Sequence, residues 1–342
     1  MKSLAQEAVE PEIAHAYSGS APHKWITPLA GYLQANHMSR LGIANTMGVS
    51  RWYNGTQFRR HDRWRRAMYA QQMEALLEEN GRPAHTPVTM GDGWAIDTSQ
   101  SLPHLDAVLA AGDKIFAERA GVRGSTDSYR SYFQDVWLDR DATDFPGILD
   151  FATSSQLLAS VAEYLKCIPA LSATLPRGIR MVESNAAFDD YPDRWKDSQL
   201  YHIDYYSLPN VYVIVLLKDA TPDSGPFTFL SRSTSQRAMN TLGYWKRRRG
   251  YRVSDEDIYS VVDRKEVVEF AYPRGSVLFF ESSGCFHYGS RNAVNPRYQL
   301  MLGYTGAIRT DLSEYVMGSY VYPIRPSDSK LRRMVLDRNM LE

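Results

Sequence analysis

The chain has 342 residues, 44% of them hydrophobic and 23% charged, so it can bury a substantial core in one or two domains. Lysine plus arginine equals aspartate plus glutamate at 39 each, which leaves no overall electrostatic case for binding nucleic acid or an anionic membrane. The sequence has no run of about 18 apolar residues and no apolar core at its amino terminus, so neither a membrane helix nor a signal peptide is predicted, and the expected location is the cytoplasm.

The first half of the chain is predicted to be mainly helical. Residues 1–24 show little periodicity and are expected to form a flexible arm. Helices are predicted at 62–80, 103–120 and 154–165, because apolar residues recur there at helical spacing and a glycine follows each of the first two segments. The two cysteines, Cys167 and Cys285, are too few for a disulfide framework and are expected to act as small apolar residues.

The second half is predicted to consist mainly of strands. Its candidate segments are rich in β-branched and aromatic residues and are separated by turn residues such as those at 222–226. They lie at 178–186, 199–206, 210–218, 227–230, 275–281 and 297–304.

An HxD pair and a distant histidine are the strongest chemical signal. In a strand, His202 and Asp204 would point to the same face, and His287 on a neighbouring strand would add a third ligand. Two imidazoles and one carboxylate leave open positions on an octahedral ion, the arrangement associated with non-haem Fe(II) oxygenases. With eight histidines, roughly 0.4 such HxD pairs are expected by chance, so the surrounding sequence has to support this interpretation.

That context resembles the phytanoyl-CoA dioxygenase (PhyH)-like family of Fe(II)/2-oxoglutarate-dependent oxygenases. The resemblance spans about 145–308 and rests on QLYHID, DSGPFTFLSRST, RGSVLFFESSGCFH, and Asn292 followed by Arg297. It departs from the family at 231–234, where SRST replaces the usual Pro-Gly-Ser-His element. The resemblance implies an α+β protein with a mainly β core, a double-stranded β-helix (jelly-roll, cupin-like) flanked by N-terminal and C-terminal helices.

The resemblance also implies a domain organisation. After the arm at 1–24, residues 25–342 are expected to form a single catalytic domain. Within it, a helical part at 25–175 precedes the β-helix core at about 176–308, which contains an insert at 231–265, and an extension follows at 309–342.

Fe(II), 2-oxoglutarate as cosubstrate and O2 are the implied cofactors. The expected reaction is hydroxylation of an unactivated C–H bond in a small organic molecule, with release of succinate and CO2. The carboxylate of Asp204 argues against halogenation, since related halogenases have a small residue at that position. A redox-inactive metal-binding jelly-roll protein, either a cupin-like isomerase or hydrolase or a ligand-binding module, is the alternative.

Four further residues are predicted to contact the cosubstrate. Arg297, ten residues after His287, offers a fork that binds a carboxylate with two hydrogen bonds. Gln299 would share its strand face, and Ser290 follows the metal ligand closely. Asn185 resembles a family residue that hydrogen-bonds the cosubstrate, although a local backbone-capping role fits it equally well.

Basic clusters suggest that the substrate could be anionic. One lies at 246–249 and another at 59–66, and for both a solvated surface is the simpler interpretation. Tyr201, Tyr205, Tyr206 and Trp245 could line the substrate pocket or belong to the core. The oligomeric state is not readable from the sequence.

Overall fold

The computed structural model describes residues 22–36, 41–119, 132–137, 144–174, 178–189, 194–246, 251–317 and 322–341. Its helices are α1 (Pro22–Asn36), α2 (Ile43–Glu79), α3 (Leu105–Arg119), α4 (Pro146–Ala152), α5 (Ser155–Leu165), α6 (Arg232–Leu242), α7 (Asp255–Tyr259), α8 (Ser313–Met317) and α9 (Lys330–Leu336). None of these described helices is long and apolar enough to cross a membrane. Residues 1–21 of the predicted arm and 247–249 of the basic cluster lie outside the described residues.

Two antiparallel sheets form the centre of the protein. The strands are β1 (Trp94–Asp97), β2 (Phe133–Trp137), β3 (Ala170–Leu171), β4 (Ile179–Ser184), β5 (Asn210–Leu216), β6 (Phe227–Leu230), β7 (Val267–Phe270), β8 (Val277–Glu281), β9 (His287–Tyr288) and β10 (Arg297–Thr305). The large sheet has the order β1-β8-β5-β10-β4-β2, with β3 also pairing with β10, and the small sheet has the order β7-β6-β9. The mixed architecture of helices around an antiparallel jelly-roll core confirms the predicted fold class.

Strand β5 shows how the layers are held together. Its seven residues are all buried, because one face packs against helices and the other against the small sheet. Val211, Val213 and Val215 join the core beneath helices α3 to α5. Tyr212 and Ile214 point the other way and join a core that includes small-sheet residues. Burial on both faces explains why this segment is a continuous apolar run in the sequence.

Most predicted strands agree with the structure to within two residues at each end, but the segment at 199–206 does not form a regular strand. Only isolated bridges occur there, at Tyr201 and His202. The backbone then leaves the small sheet, and the Asp204 amide donates to the Ser282 carbonyl, which follows β8 of the large sheet. The aromatic residues that indicated a strand are instead buried in a core cluster shared with helix α6 and the insert, where Tyr201 and Tyr205 join Met239 and Tyr251.

The large sheet also uses residues from the part predicted to be helical. Strand β1 pairs with β8, and strand β2 pairs with β4, so both edges of the sheet come from the amino-terminal half. Short strands of four or five residues carry too little periodicity to be recognised beside long helices.

Helix α2 begins 19 residues before the predicted start at 62. Gly48 and Gly55 weaken the helical signal in this stretch, but packing overrides propensity. Buried Asn54 donates to the carbonyls of Arg309 and Asp311, which fixes the early turns against the segment after β10.

The departure from the family pattern at 231–234 has a simple structural outcome. Ser231 caps helix α6 by accepting a hydrogen bond from the Thr234 amide, so SRST is a helix start. The predicted insert at 231–265 thus begins with a helix, and α7 follows near its end.

Candidate metal centre

His202 and His287 face each other across a short β-bridge. The His202 amide donates to the His287 carbonyl at 3.1 Å, and the His287 amide donates back at 2.9 Å. Strand β9 holds His287 beside β6 of the small sheet. The two imidazole rings consequently lie with their centroids 4.4 Å apart.

The Nδ1 atom of each histidine ring is hydrogen-bonded to a backbone carbonyl. His202 Nδ1 lies 2.8 Å from the Leu200 carbonyl, and His287 Nδ1 lies 3.0 Å from the Cys285 carbonyl. A carbonyl oxygen only accepts, so each Nδ1 must carry the proton. In a neutral ring Nε2 then carries the lone pair, the form in which histidine binds a metal, and the carbonyl contact fixes the ring orientation.

Asp204 completes the group. Its Oδ2 lies 3.6 Å from His287 Nε2, and all three residues are buried. Burial alone would raise the pKa of Asp204, but hydrogen bonding and charge from His287, with smaller contributions from His202 and Tyr212, lower it to about 2. The carboxylate is therefore ionised at neutral pH and can act as a ligand.

The geometry fits one divalent ion. One nitrogen or oxygen atom from each of His202, Asp204 and His287 can be chosen so that all three lie within 4.8 Å of one another. Adjacent ligands on an octahedral ion lie roughly 3 Å apart when each metal–ligand bond is about 2.1 Å. Three ligands on one side leave the opposite positions open, as the sequence pattern predicted.

Aromatic side chains surround the histidine side of the centre. Phe227 stacks on the His287 ring at a centroid distance of 5.3 Å, and Phe280 meets the same ring edge-on at 5.2 Å. Tyr251 approaches His202 at 6.0 Å. Sequence reasoning missed these residues, although the inward positions of β6 and β8 could have indicated Phe227 and Phe280.

Arg297 lies on the inner face of β10 and is 1% exposed. Its Nη2 donates to Ser184 Oγ at 3.0 Å and to Ser290 Oγ at 3.4 Å, whereas its Nε and Nη1 have no hydrogen-bond partner in the described structure. Burial without a neighbouring carboxylate lowers the pKa of Arg297 to about 9. A buried guanidinium with two nitrogens whose N–H groups have no partner is costly unless an anion binds it.

Further polar groups lie beside Arg297. Ser290 and Ser184 share a 2.7 Å hydrogen bond between their hydroxyls. Gln299 lies two residues along the same strand face, and its buried Oε1 has no partner among the described residues. Ser184 was missed from the sequence, although the alternation of β4 through Val182 indicates that it points inward.

Asn185 has a structural role. Its Oδ1 accepts from the Ala187 amide at 2.9 Å, and its Nδ2 donates to Glu183 Oε1 at 2.8 Å. Both ends of the amide are thus occupied, which is the capping alternative foreseen from the sequence. Contact with a cosubstrate stays a prediction for this residue.

The aromatic residues proposed for the pocket fall into different environments. Tyr201 is fully buried, and its hydroxyl shares a hydrogen bond with that of Tyr259, so it belongs to the core. Tyr205 stacks on Tyr206 beside the metal group. Trp245 lies three residues after the end of α6, with 37% of its surface exposed.

Comparisons with known proteins give fold resemblances only. No protein-family model matches the sequence, and no curated protein matches it. Among solved structures, the chain is similar to SnoN, an alpha-ketoglutarate-dependent epimerase from nogalamycin biosynthesis. The structure of SnoN in complex with Fe3+, alpha ketoglutarate and nogalamycin RO aligns at 15% identity over 74% of this chain and 93% of that chain, with a TM-score of 0.42. EctD from S. alaskensis with bound Fe aligns at 14% identity over 73% and 81%, with a TM-score of 0.41. The carbocyclase SnoK aligns at 14% identity over 70% and 97%, also at 0.41. The interpretation of the site therefore rests on its own residues.

Proposed function

We propose that this protein is an Fe(II)- and 2-oxoglutarate-dependent dioxygenase of the PhyH-like family, which hydroxylates an unactivated C–H bond of a small organic molecule and releases succinate and CO2. One observation carries the proposal. A buried His-Asp-His group whose ligand atoms lie within 4.8 Å of one another occurs together with a buried arginine that has two nitrogens without a partner among the described residues. A metal would use the first feature, and an anionic ligand would use the second.

The chain's own residues have separable roles in this function. His202, Asp204 and His287 would hold Fe(II), and their carbonyl and tyrosine partners keep the ligand atoms oriented. Arg297 would bind the far carboxylate of 2-oxoglutarate, with Ser290 and Gln299 beside it. The bound iron and cosubstrate would supply the activation of O2. The aromatic rings of Phe227 and Phe280 exclude water from one side of the centre.

The proposed substrate is a small molecule. The position of Arg180 supports an anionic group on it. Strand register places Arg180 on the same face of β4 as Val182 and Ser184, which point to the inner core and to Arg297. Its positive charge acts on Tyr212, whose hydroxyl hydrogen-bonds to Asp204. An anionic group entering the pocket would meet this cation near the metal.

Anaerobic titration with Fe(II) and then 2-oxoglutarate tests the function. We expect a visible metal-to-ligand charge-transfer band in the wild-type protein and none in His202→Ala. Arg297→Ala should form the same band but require roughly 10- to 100-fold more 2-oxoglutarate, because hydrogen bonds to a charged group contribute about 1.5–3 kcal/mol.

Two results would contradict the proposal. Iron binding without the band would favour a redox-inactive metal-binding jelly-roll protein. Absence of iron binding would remove the metal assignment itself. If the band forms, a screen for succinate release with candidate substrates, followed by product analysis, tests whether the reaction is a hydroxylation.

A further inference from the structure

A groove on the outer side of helix α2 has features of a second ligand site. It is an open groove of about 500 Å3, within the range typical of small-molecule sites. Its lining comes from two turns of α2 and from the segment after β10, and comprises Arg51, Trp52, Gly55, Thr56, Arg59 and Ile308. None of these residues belongs to the candidate metal centre.

The groove is strongly cationic in a chain with no net charge. Residues 51–66 contain six arginines and one aspartate, and the aspartate, Asp62, is paired with Arg66. Arg51 and Arg59 are exposed, and neither has an ion-pair or hydrogen-bond partner among the described residues. Their charges are consequently available to a ligand.

Helix geometry brings these charges towards one point. Arg51, Gly55 and Arg59 are spaced by four residues and so lie along one face of α2. A Cβ at Gly55 would meet no atom within 4 Å, which leaves open space between the two arginines. Two long guanidinium side chains flanking this gap can present several N–H donors to one group with three oxygens, such as a phosphate.

An aromatic surface completes the groove. Trp52 is 69% exposed, an unusual state for the largest apolar side chain. Its neighbour across the groove is Ile308, a half-buried residue of the segment after β10. An indole beside two guanidinium groups suits a flat ring attached to the anionic group.

The groove is structurally linked to the metal centre. A smaller cavity of about 60 Å3 shares Arg51 and Ile308 with it and is also lined by Ser207, Leu208 and Thr310. The Thr310 amide donates to the Tyr206 carbonyl, two residues after Asp204. Ile308 of the groove is thus two residues from Thr310, which is hydrogen-bonded to the segment that carries Asp204.

From these observations we infer that the Arg51–Arg59 groove binds a small molecule that carries a phosphate group and a planar ring. The site is separate from the proposed metal and cosubstrate sites. A ligand of this kind would pair with the two arginines, fill the space at the glycine between them and cover the exposed indole.

Titration of the full-length protein with phenyl phosphate, inorganic phosphate and phenol tests this inference, with isothermal calorimetry and tryptophan fluorescence as readouts at about 0.15 M salt. We expect phenyl phosphate to bind most tightly. Arg51→Gln and Arg59→Gln should each weaken it about tenfold, and Trp52→Ala should weaken phenyl phosphate severalfold more than inorganic phosphate.

Arg63→Gln is the matched control, because Arg63 is exposed on the same helix and does not line the groove. Its binding should stay within twofold of the wild-type value. Equal weakening by Arg63→Gln would show diffuse attraction to a basic helix and overturn the inference, as would tight binding that Arg51→Gln and Arg59→Gln leave unchanged. Because the titration is carried out with and without Fe(II) and 2-oxoglutarate, its result is independent of the proposed oxygenase activity.

Discussion

Two buried arginines, one in the helical layer and one between the sheets, show opposite uses of the same side chain. Arg65 of α2 is 0% exposed and donates to the carbonyls of Ile168, Pro169, Met334 and Asp337. Arg297 of β10 is equally buried and has two nitrogens without a partner. The first arginine holds parts of the chain together, whereas the second has donors that we propose a ligand uses.

The difference reflects what surrounds each guanidinium. Around Arg65, the C-terminal end of α9 and the segment before β3 supply carbonyl oxygens as acceptors. Around Arg297, the hydroxyls of Ser184 and Ser290 are the hydrogen-bond partners among the described residues. Both Nη atoms of Arg65 donate to carbonyls, whereas Nη1 of Arg297 has no partner among the described residues, and this difference separates a structural cation from a candidate for ligand binding.

Replacing Arg65 should have the largest effect on stability. Arg65→Met removes the guanidinium donor from the buried carbonyls of Ile168, Pro169 and Met334, so we expect a loss of about 3–5 kcal/mol in the free energy of unfolding. Urea denaturation followed by circular dichroism would measure it. A loss below about 1 kcal/mol would show that water replaces the guanidinium and would weaken the contrast with Arg297.

The matching change in the sheet interior should have the opposite outcome. Arg297→Met removes a desolvated cation that has no counter-ion, so the metal-free protein should keep its stability or gain about 1 kcal/mol. Wild-type protein with Fe(II) should be stabilised by added 2-oxoglutarate, and Arg297→Met should lose most of that gain. Thermal unfolding with and without 2-oxoglutarate distinguishes these cases, and marked destabilisation of the metal-free variant would assign Arg297 a structural role.

Glu281 lies where the two regions meet and should have an intermediate effect. Its buried carboxylate accepts hydrogen bonds from Tyr164 of α5 and Ser283, and Arg232 of α6 lies 3.5 Å away. The same turn supplies the Ser282 and Cys285 carbonyls that orient Asp204 and His287. Glu281→Gln replaces one acceptor oxygen with a donor, so we expect metal affinity to fall about tenfold while the fold is retained.

Titration of the metal-free protein with Co(II), monitored by its visible absorption, would measure this positioning effect. Tyr164→Phe serves as the comparison, since it removes one donor and leaves the carboxylate in place; its effect should be smaller. An unchanged Co(II) affinity and spectrum in Glu281→Gln would limit Glu281 to holding the helical layer.

Replacing Asn185 should have the smallest effect of these changes. The replacement also tests whether Asn185 is a structural residue, like Arg65, or a ligand-binding residue, as proposed for Arg297. Asn185→Ala removes the cap of the short helical turn at Ala186–Phe188, which should cost about 1 kcal/mol in stability. Affinity for 2-oxoglutarate should stay within twofold of the wild-type value. A weakening comparable to that of Arg297→Ala would instead support its predicted contact with the cosubstrate.

Local sequence patterns predicted many of the helices and strands. The apolar stripe at 103–120 and the apolar run at 210–218 identified a helix and a strand, because periodicity reflects which faces are buried. The spacing of His202 and Asp204 predicted that both side chains reach one point, and the structure brings them together with His287 although the backbone there is not a regular strand. Arg297 was predicted from its distance along the chain after His287 and the chemistry of its side chain.

Other features depend on contacts between distant segments. Strand β1 gains its partner from β8, almost 200 residues away, so four residues with weak propensity join the large sheet. Helix α2 extends through two glycines because Asn54 bonds to carbonyls more than 250 residues along the chain. No local signal carries such information.

The sequence by itself therefore determined the types of ligand available for a metal and an anion, and the order of helices and strands that present them. The tertiary structure decided which polar groups are satisfied. Arg65 and Arg297 look alike in the sequence, and only the positions of distant carbonyl groups make the first a structural cation and leave the second with two free donors. Hydrogen-bond satisfaction is a property of the packed chain, because its partners come from segments that meet only on folding.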